Sequence, residues 1–169
     1  MRRALDTLYD ISAWIAALFM VVILASVLLQ VLGGLFDFYL RGTDAYAGYG
    51  MAGVSFLALA HTLRRGEHIR VTLVLQRLSV RLRHWVELWC LLVAVVLTAL
   101  FAWYSWKMVW WSWAFNDISM AEDRTPLWVP QITMAFGVSV LFVAFLDETV
   151  QVLMGRNREA SPAEPSRIE

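Results

Sequence analysis

Charge is missing from most of this sequence. Four long stretches, from Ile11 to Phe36, Ala45 to Leu63, Leu88 to Trp106 and Thr125 to Leu146, contain no Asp, Glu, Lys or Arg. Cysteine is nearly missing too: Cys90 stands alone inside an apolar run, which excludes an internal disulfide and reports nothing about redox compartment. Net charge is zero, so there is no basic field for nucleic acid. The longest gap between the apolar stretches is about two dozen residues, too short for a separate soluble domain. No glycine-rich phosphate loop occurs, and no serine, histidine and carboxylate stand in plausible catalytic register. Ion-coupled membrane proteins bury ionisable groups inside their spans, and these stretches hold almost none.

What is present is apolar. Hydrophobic residues make up 60% of the 169, against about 45–50% in a soluble domain. The pattern predicts an all-α integral membrane protein with four transmembrane helices, over about 11–36, 45–63, 87–110 and 127–149. Together they form a single four-helix membrane domain over 1–155, followed by a disordered cytoplasmic tail over 156–169. The first run is longer than the 7–15-residue core of a signal peptide, so it reads as a retained span. Arg2 and Arg3 before it read as a positive-inside anchor rather than a twin-arginine export signal.

Eleven of the fourteen Lys and Arg residues fall in the N-terminus, the 64–87 segment and the tail. The positive-inside rule then places both termini and that middle segment in the cytoplasm. The 64–86 segment is expected to be a short helix lying in the inner interface, with its arginines at the phosphates. Arg64, Arg65, His68, Arg70, Arg77 and Arg81 are its candidate contacts to lipid or a partner. At the opposite face Trp103, Trp106, Trp110, Trp111, Trp113 and Trp128 form an aromatic belt, where Lys107 can snorkel.

The second span carries the most specific pattern. Asp44 is placed to cap its start, Arg64 and Arg65 close its last turn, and Gly66 suits the left-handed position after it. Gly48, Ala52 and Ser55 are spaced by four and three and share one face, while Gly53 and Ala60 form a second strip. Small faces let helix backbones approach in lipid. The Gly48–Ala52–Ser55 face therefore packs either against another subunit or among the chain's own helices. Near the last span, Thr125-Pro126 reads as a cap and first-turn pair.

Other polar residues invite weaker readings. Gln30 can bond a neighbouring helix or reach the interface. Glu87, Asp147 and Glu148 sit at span ends, where pairing with arginines or hydration outweighs ion coupling. His61, His68 and His84 all cluster at the cytoplasmic end. Haem b requires opposed imidazoles from different helices, and no carboxylate or thiol joins these histidines at metal-ligand spacing. We therefore expect no cofactor, no metal and no catalytic residue. A haem-bearing electron-transfer subunit and a free-standing small exporter are the competing classes; one wants opposed histidines, the other a mid-span acid.

One series of residues resembles a known family. Arg41, Asp44, Ala58-Leu59-Ala60-His61 leading into Arg64-Arg65-Gly66-Glu67-His68-Ile69-Arg70-Val71, and Pro126-Leu127-Trp128-Val129-Pro130-Gln131 followed by Gly137 are similar to the DctQ-type small membrane subunit of tripartite ATP-independent periplasmic (TRAP) transporters. Where many members carry one or two glutamates before the second span, this chain has Thr43-Asp44-Ala45. The resemblance implies a multi-pass protein of the bacterial inner membrane. It implies two partners, a large DctM-type membrane subunit that is the ion-driven elevator and a periplasmic DctP-type substrate-binding protein. The small subunit would brace the large one during import of an organic acid, and help dock the binding protein.

Overall fold

The computed structural model describes residues 2–38, 42–65 and 79–154. Within them lie four helices: α1 (Arg2–Leu35), α2 (Thr43–Arg65), α3 (Val80–Ala114) and α4 (Trp128–Leu153). No strand occurs among the described residues, only an isolated bridge between Ile118 and Pro126. α1, α3 and α4 are each long and apolar enough to cross a membrane. α2, at 23 residues, is less apolar because Gly48, Gly50, Gly53, Ser55, His61 and Thr62 dilute it. At about 1.5 Å per residue it still extends roughly 35 Å.

The helices run past the stretches that hydropathy marks. α1 begins at Arg2, ahead of the uncharged run, because a helix need not stop where the bilayer does. Likewise α3 begins at Val80, so residues 80–86, expected at the end of an interfacial segment, are its first two turns. The remainder of that segment, 66–78, lies outside the described residues, as do Gly66, His68, Arg70, Arg77 and the tail.

Packing joins α2 to α1 on one side and to α4 on the other, and α4 to α3. The result is a row in the order α1, α2, α4, α3, with α1 reaching α4 only slightly. That contact is the cluster of Tyr9, Leu63, Val140, Leu141 and Ala144, edged by Leu8, Leu59, Phe136 and Phe145. Close approach depends on missing side chains. A Cβ on Gly137 of α4 would lie 2.7 Å from the Phe56 carbonyl carbon of α2, and one on Gly50 would lie 2.7 Å from Ile23 of α1. Most buried hydroxyls find a backbone carbonyl, as lipid demands, although the Ser105 hydroxyl on α3 has no partner. Ser12 donates to the Leu57 carbonyl across the α1–α2 contact at 3.0 Å, while Ser26, Thr98, Ser139 and Thr149 donate to carbonyls one turn back.

α1 and α3 end alike. In α3 the Asp117 amide donates to the Ser112 carbonyl at 3.0 Å and the Asn116 amide to Trp113 at 3.3 Å, with Asn116 left-handed at φ 51°. In α1 the Phe38 amide reaches the Gly33 carbonyl at 3.0 Å across Asp37, at φ 54°. Both are Schellman closures, with Asp and Asn tolerating a conformation that most residues avoid.

Two expected caps differ from what is found. α2 starts at Thr43, so Asp44 lies in its first turn, and the Gly42 carbonyl accepts the first helical bond from Tyr46 at 3.1 Å. Gly42 takes the cap position because its φ of 82° turns the chain into the helix. Thr125-Pro126 does not open α4, which begins at Trp128. The Thr125 carbonyl accepts from Ser119 at 2.9 Å and the Leu127 amide donates to Asp117 at 3.0 Å, so these residues close the α3–α4 loop instead.

Candidate subunit interface

On α2 the structure separates two faces that the sequence leaves equivalent. Ala47, Gly50, Gly53 and Leu57 are buried, with Gly53 against the Phe19 ring. Gly48, Ala52 and Ser55 are all exposed. A Cβ on Gly48 would meet nothing within 4 Å. Ser55 returns its hydroxyl to its own helix, donating to the Met51 carbonyl at 2.8 Å, and Met51 beside it is 62% exposed. Asp44 continues this exposed stripe to the end of α2. So Gly48, Ala52 and Ser55 are brought together on one uncovered strip, while Gly53 of the second strip packs inside the chain. The side chain of Ala60 lies outside the described residues.

The aromatic belt is also uncovered. Trp103, Trp106, Trp110, Trp111 and Trp113 are 46–71% exposed, and Trp128 is half-buried at the start of α4. Trp106 reaches across to α4, its indole Nε1 donating to Ser139 at 3.0 Å. Trp110 stacks obliquely on Trp113, and Trp111 on Phe115.

A node on the loops, which the sequence did not disclose, ties the α1–α2 pair to the α3–α4 pair. Tyr49 of α2 donates to Ser119 of the loop at 2.9 Å. A Cβ on Gly42 would lie 2.6 Å from the Asp123 Cβ, so the loop rests directly on the start of α2. Hydroxyls of Thr125, Ser119 and Tyr49 surround the Asp123 carboxylate and hold its pKa below the usual 3.8, though neither oxygen makes a bond of full geometry. Five contributors, from Gly42 to Thr125, leave no local pattern to detect.

Nearby, a pocket of about 300 Å³ lies between the ends of α1 and α2, lined by Gln30, Gly33, Asp37, Thr43 and Asp44 among others. Gln30 itself is exposed. At the opposite end Asp147 accepts from Gln151 at 2.7 Å, and Glu87 and Glu148 are half-buried. His61 is half-buried on α2 with its Nδ1 shielded and unbonded, and His84 is exposed on α3. Among the described residues no three His, Cys, Asp or Glu gather as metal ligands. Arg64, Arg65 and Arg81 fall on helices, but their side chains lie outside the described residues.

The arrangement is one of open helix surfaces. It offers exposed helix faces: one built of small residues on α2, one of aromatic rings on α3. The family model described as "Tripartite ATP-independent periplasmic transporters, DctQ component" matches residues 19–155. The chain belongs to this family. The match takes in the second half of α1 and all of α2, α3 and α4, and makes the protein a multi-pass membrane component of a TRAP transporter. The family is one of transporter components, not of enzymes. No curated protein matches the chain.

Proposed function

We propose that this chain is the accessory small permease subunit of an ion-gradient-driven, binding-protein-dependent TRAP transporter of the bacterial inner membrane. It braces the large DctM-type subunit and aids docking of the DctP-type binding protein during import of an organic acid. All four helices cross the bilayer in this reading, with both ends cytoplasmic, as the distribution of Lys and Arg supports. Arg64, Arg65, His68, Arg70, Arg77 and Arg81 then lie at the inner surface against lipid or the large subunit.

One observation carries the bracing role. Gly48, Ala52 and Ser55 form a strip of small residues that the chain's own helices leave uncovered. Helices in lipid associate through such strips because no hydrophobic effect drives them together. A strip on α2 serving internal packing would face α1 or α4, as Gly53 does against Phe19 of α1.

Ala52→Leu tests the reading. Bulk forced into a tight contact costs about 1–3 kcal/mol, and about 1.4 kcal/mol is tenfold in equilibrium. Co-purification with the large subunit in mild detergent should fall sharply, while the melting temperature of the lone subunit stays unchanged. Intact co-purification with a lowered melting temperature would make the strip an internal contact and the proposal wrong.

A further inference from the structure

Lys107 has no part in the role just proposed. It is the single charged residue between Leu88 and Asn116. The buried positions of α3 are Thr98, Ser105, Val109 and Ser112, which share one stripe facing α4. At about 100° per residue Lys107 lies on the opposite side of the helix. Its depth follows from its neighbour. Trp106 bonds Ser139, well inside α4 and eight residues from Asp147, the first charge along that helix. Towards the α3–α4 loop, α3 runs only seven residues past Lys107 to its end at Ala114, about 10 Å. The headgroup layer occupies roughly 5–8 Å of that distance. Lys107 therefore starts near the boundary between hydrocarbon and headgroups, where a lysine extends its stem to place the ammonium at the phosphates.

Its surroundings suit that task. Tyr104, Lys107, Met108 and Trp111 line an open groove of about 250 Å³. The ammonium lies 5.9 Å from the centre of the Trp111 ring. Helical side chains lean towards the N-terminus, so this ring comes back over Lys107 from the loop side. A ring face offers a cation partial compensation, and the three N–H donors still want oxygen acceptors. Met108 is flexible enough to follow an acyl chain.

A partner helix would be a poor occupant. The rows beside Lys107 carry Trp103, Tyr104, Met108, Trp110 and Trp111, all 40–71% exposed. None is small, so a second backbone cannot approach closely, in contrast to the Gly48–Ala52–Ser55 strip. Aromatic rings at this level are the side chains that mix with headgroups. The one charge in the groove is positive, and a zwitterionic lipid would bring its own cation alongside the phosphate.

We propose that this groove binds one anionic phospholipid from the leaflet on the side of the α3–α4 loop. The lipid phosphate accepts from the Lys107 ammonium, Trp111 covers the pair, and an acyl chain lies along Tyr104 and Met108. The site requires α3 to cross the membrane and is independent of the bracing role.

The test titrates delipidated full-length protein in mild detergent with phosphatidylglycerol, phosphatidylcholine and inorganic phosphate, reading bound adducts by native mass spectrometry. Wild type should retain one phosphatidylglycerol in preference to phosphatidylcholine, and inorganic phosphate should not displace it. Lys107→Gln should weaken phosphatidylglycerol about fivefold, the worth of one basic residue near an anionic surface, and Lys107→Arg should restore it. If Lys107→Gln does not fold, Trp111→Leu carries the test, since it keeps the cation and removes its cover; it should also weaken binding. Unchanged phosphatidylglycerol affinity in the variant used would overturn the site. So would equal binding of phosphatidylcholine, or displacement by inorganic phosphate, which would make it a plain anion site. Loss of the large subunit from Lys107→Gln with lipid affinity unchanged would assign the lysine to a protein partner instead.

Discussion

α3 and α4 are both apolar helices of membrane-crossing length, joined by one loop, and they are buried to very different degrees. In the most apolar stretch of α4 33% of the residues are buried, against 6% in that of α3. The buried side of α4 is Ala135, Gly137, Val138, Val140, Leu141, Ala144, Thr149 and Val152. Among its described side chains α3 buries only Thr98, Ser105, Val109 and Ser112, and it turns its tryptophans outward. In water the large rings would be inside. In lipid they gain nothing by burial, because the surroundings are as apolar as the interior, and what packs inward is what is small or needs a hydrogen-bond acceptor. Over its uncharged stretch α1 obeys the same rule, burying Ser12, Ala16 and Ser26 while Leu18, Val21 and Leu24 face out, and its buried ring, Tyr9, lies ahead of that stretch.

The contrast breaks most visibly at Gly137. A side chain there collides with the backbone of Phe56, which cannot rotate aside. Gly137→Leu should cost about 3 kcal/mol, the upper part of the usual range for overpacking. Trp103→Leu on α3, where the ring is 71% exposed, should stay within about 0.5 kcal/mol. Melting of the two variants in the same detergent measures the pair. Comparable losses would mean that the faces of α3 and α4 are not the different surfaces described.

A smaller effect is expected where the two helices touch. Trp106→Phe keeps a ring but removes the indole donor to Ser139. Interhelical hydrogen bonds in membranes average about 0.6 kcal/mol, since the separated helices find other partners. Ser139 also keeps its own bond to the Ala135 carbonyl. Trp106→Phe should therefore lower stability by about 0.6 kcal/mol, and Ser139→Ala combined with it should add little. A combined loss near the sum of two large single losses would show the bond to be independent of its surroundings.

These particulars define what the sequence can disclose. The helices were legible because uncharged stretches of bilayer length have few other uses, and the family resemblance rested on residues inside the matched 19–155 region. Helix ends were not legible: hydropathy reports where lipid ends, whereas α1 and α3 continue through Arg2 and Val80 into polar ground. Nor was the inward face of α2. Gly48 and Gly53 present the same small apolar surface, and only the tertiary row decides that one meets Phe19 and the other nothing. Thr125-Pro126 has the composition of a helix start, yet the Thr125 carbonyl accepts from Ser119 and the next residue, Leu127, donates to Asp117.

The smallest effect lies in that loop, where the contrast between α3 and α4 gives way to aqueous chemistry. Asp123 rests on Gly42 and is surrounded by the hydroxyls of Thr125, Ser119 and Tyr49, with Thr125 the largest contributor to its lowered pKa. These groups favour the charged carboxylate. A group whose folded pKa is depressed contributes stability above its ordinary value, here 3.8, and loses it as pH falls through the lower folded value. Melting temperatures of wild type and Asp123→Asn should therefore differ by a constant amount from pH 7 down to about pH 5. They should converge only below 3.8, as wild type takes up its proton. Because no neighbour makes a bond of full geometry to either carboxylate oxygen, the separation should be small beside that of Gly137→Leu. Convergence already complete at pH 5 would reverse the sign of the argument: the node would then prefer the neutral acid, and Tyr49 and Ser119 would hold the two helix pairs together without help from the charge.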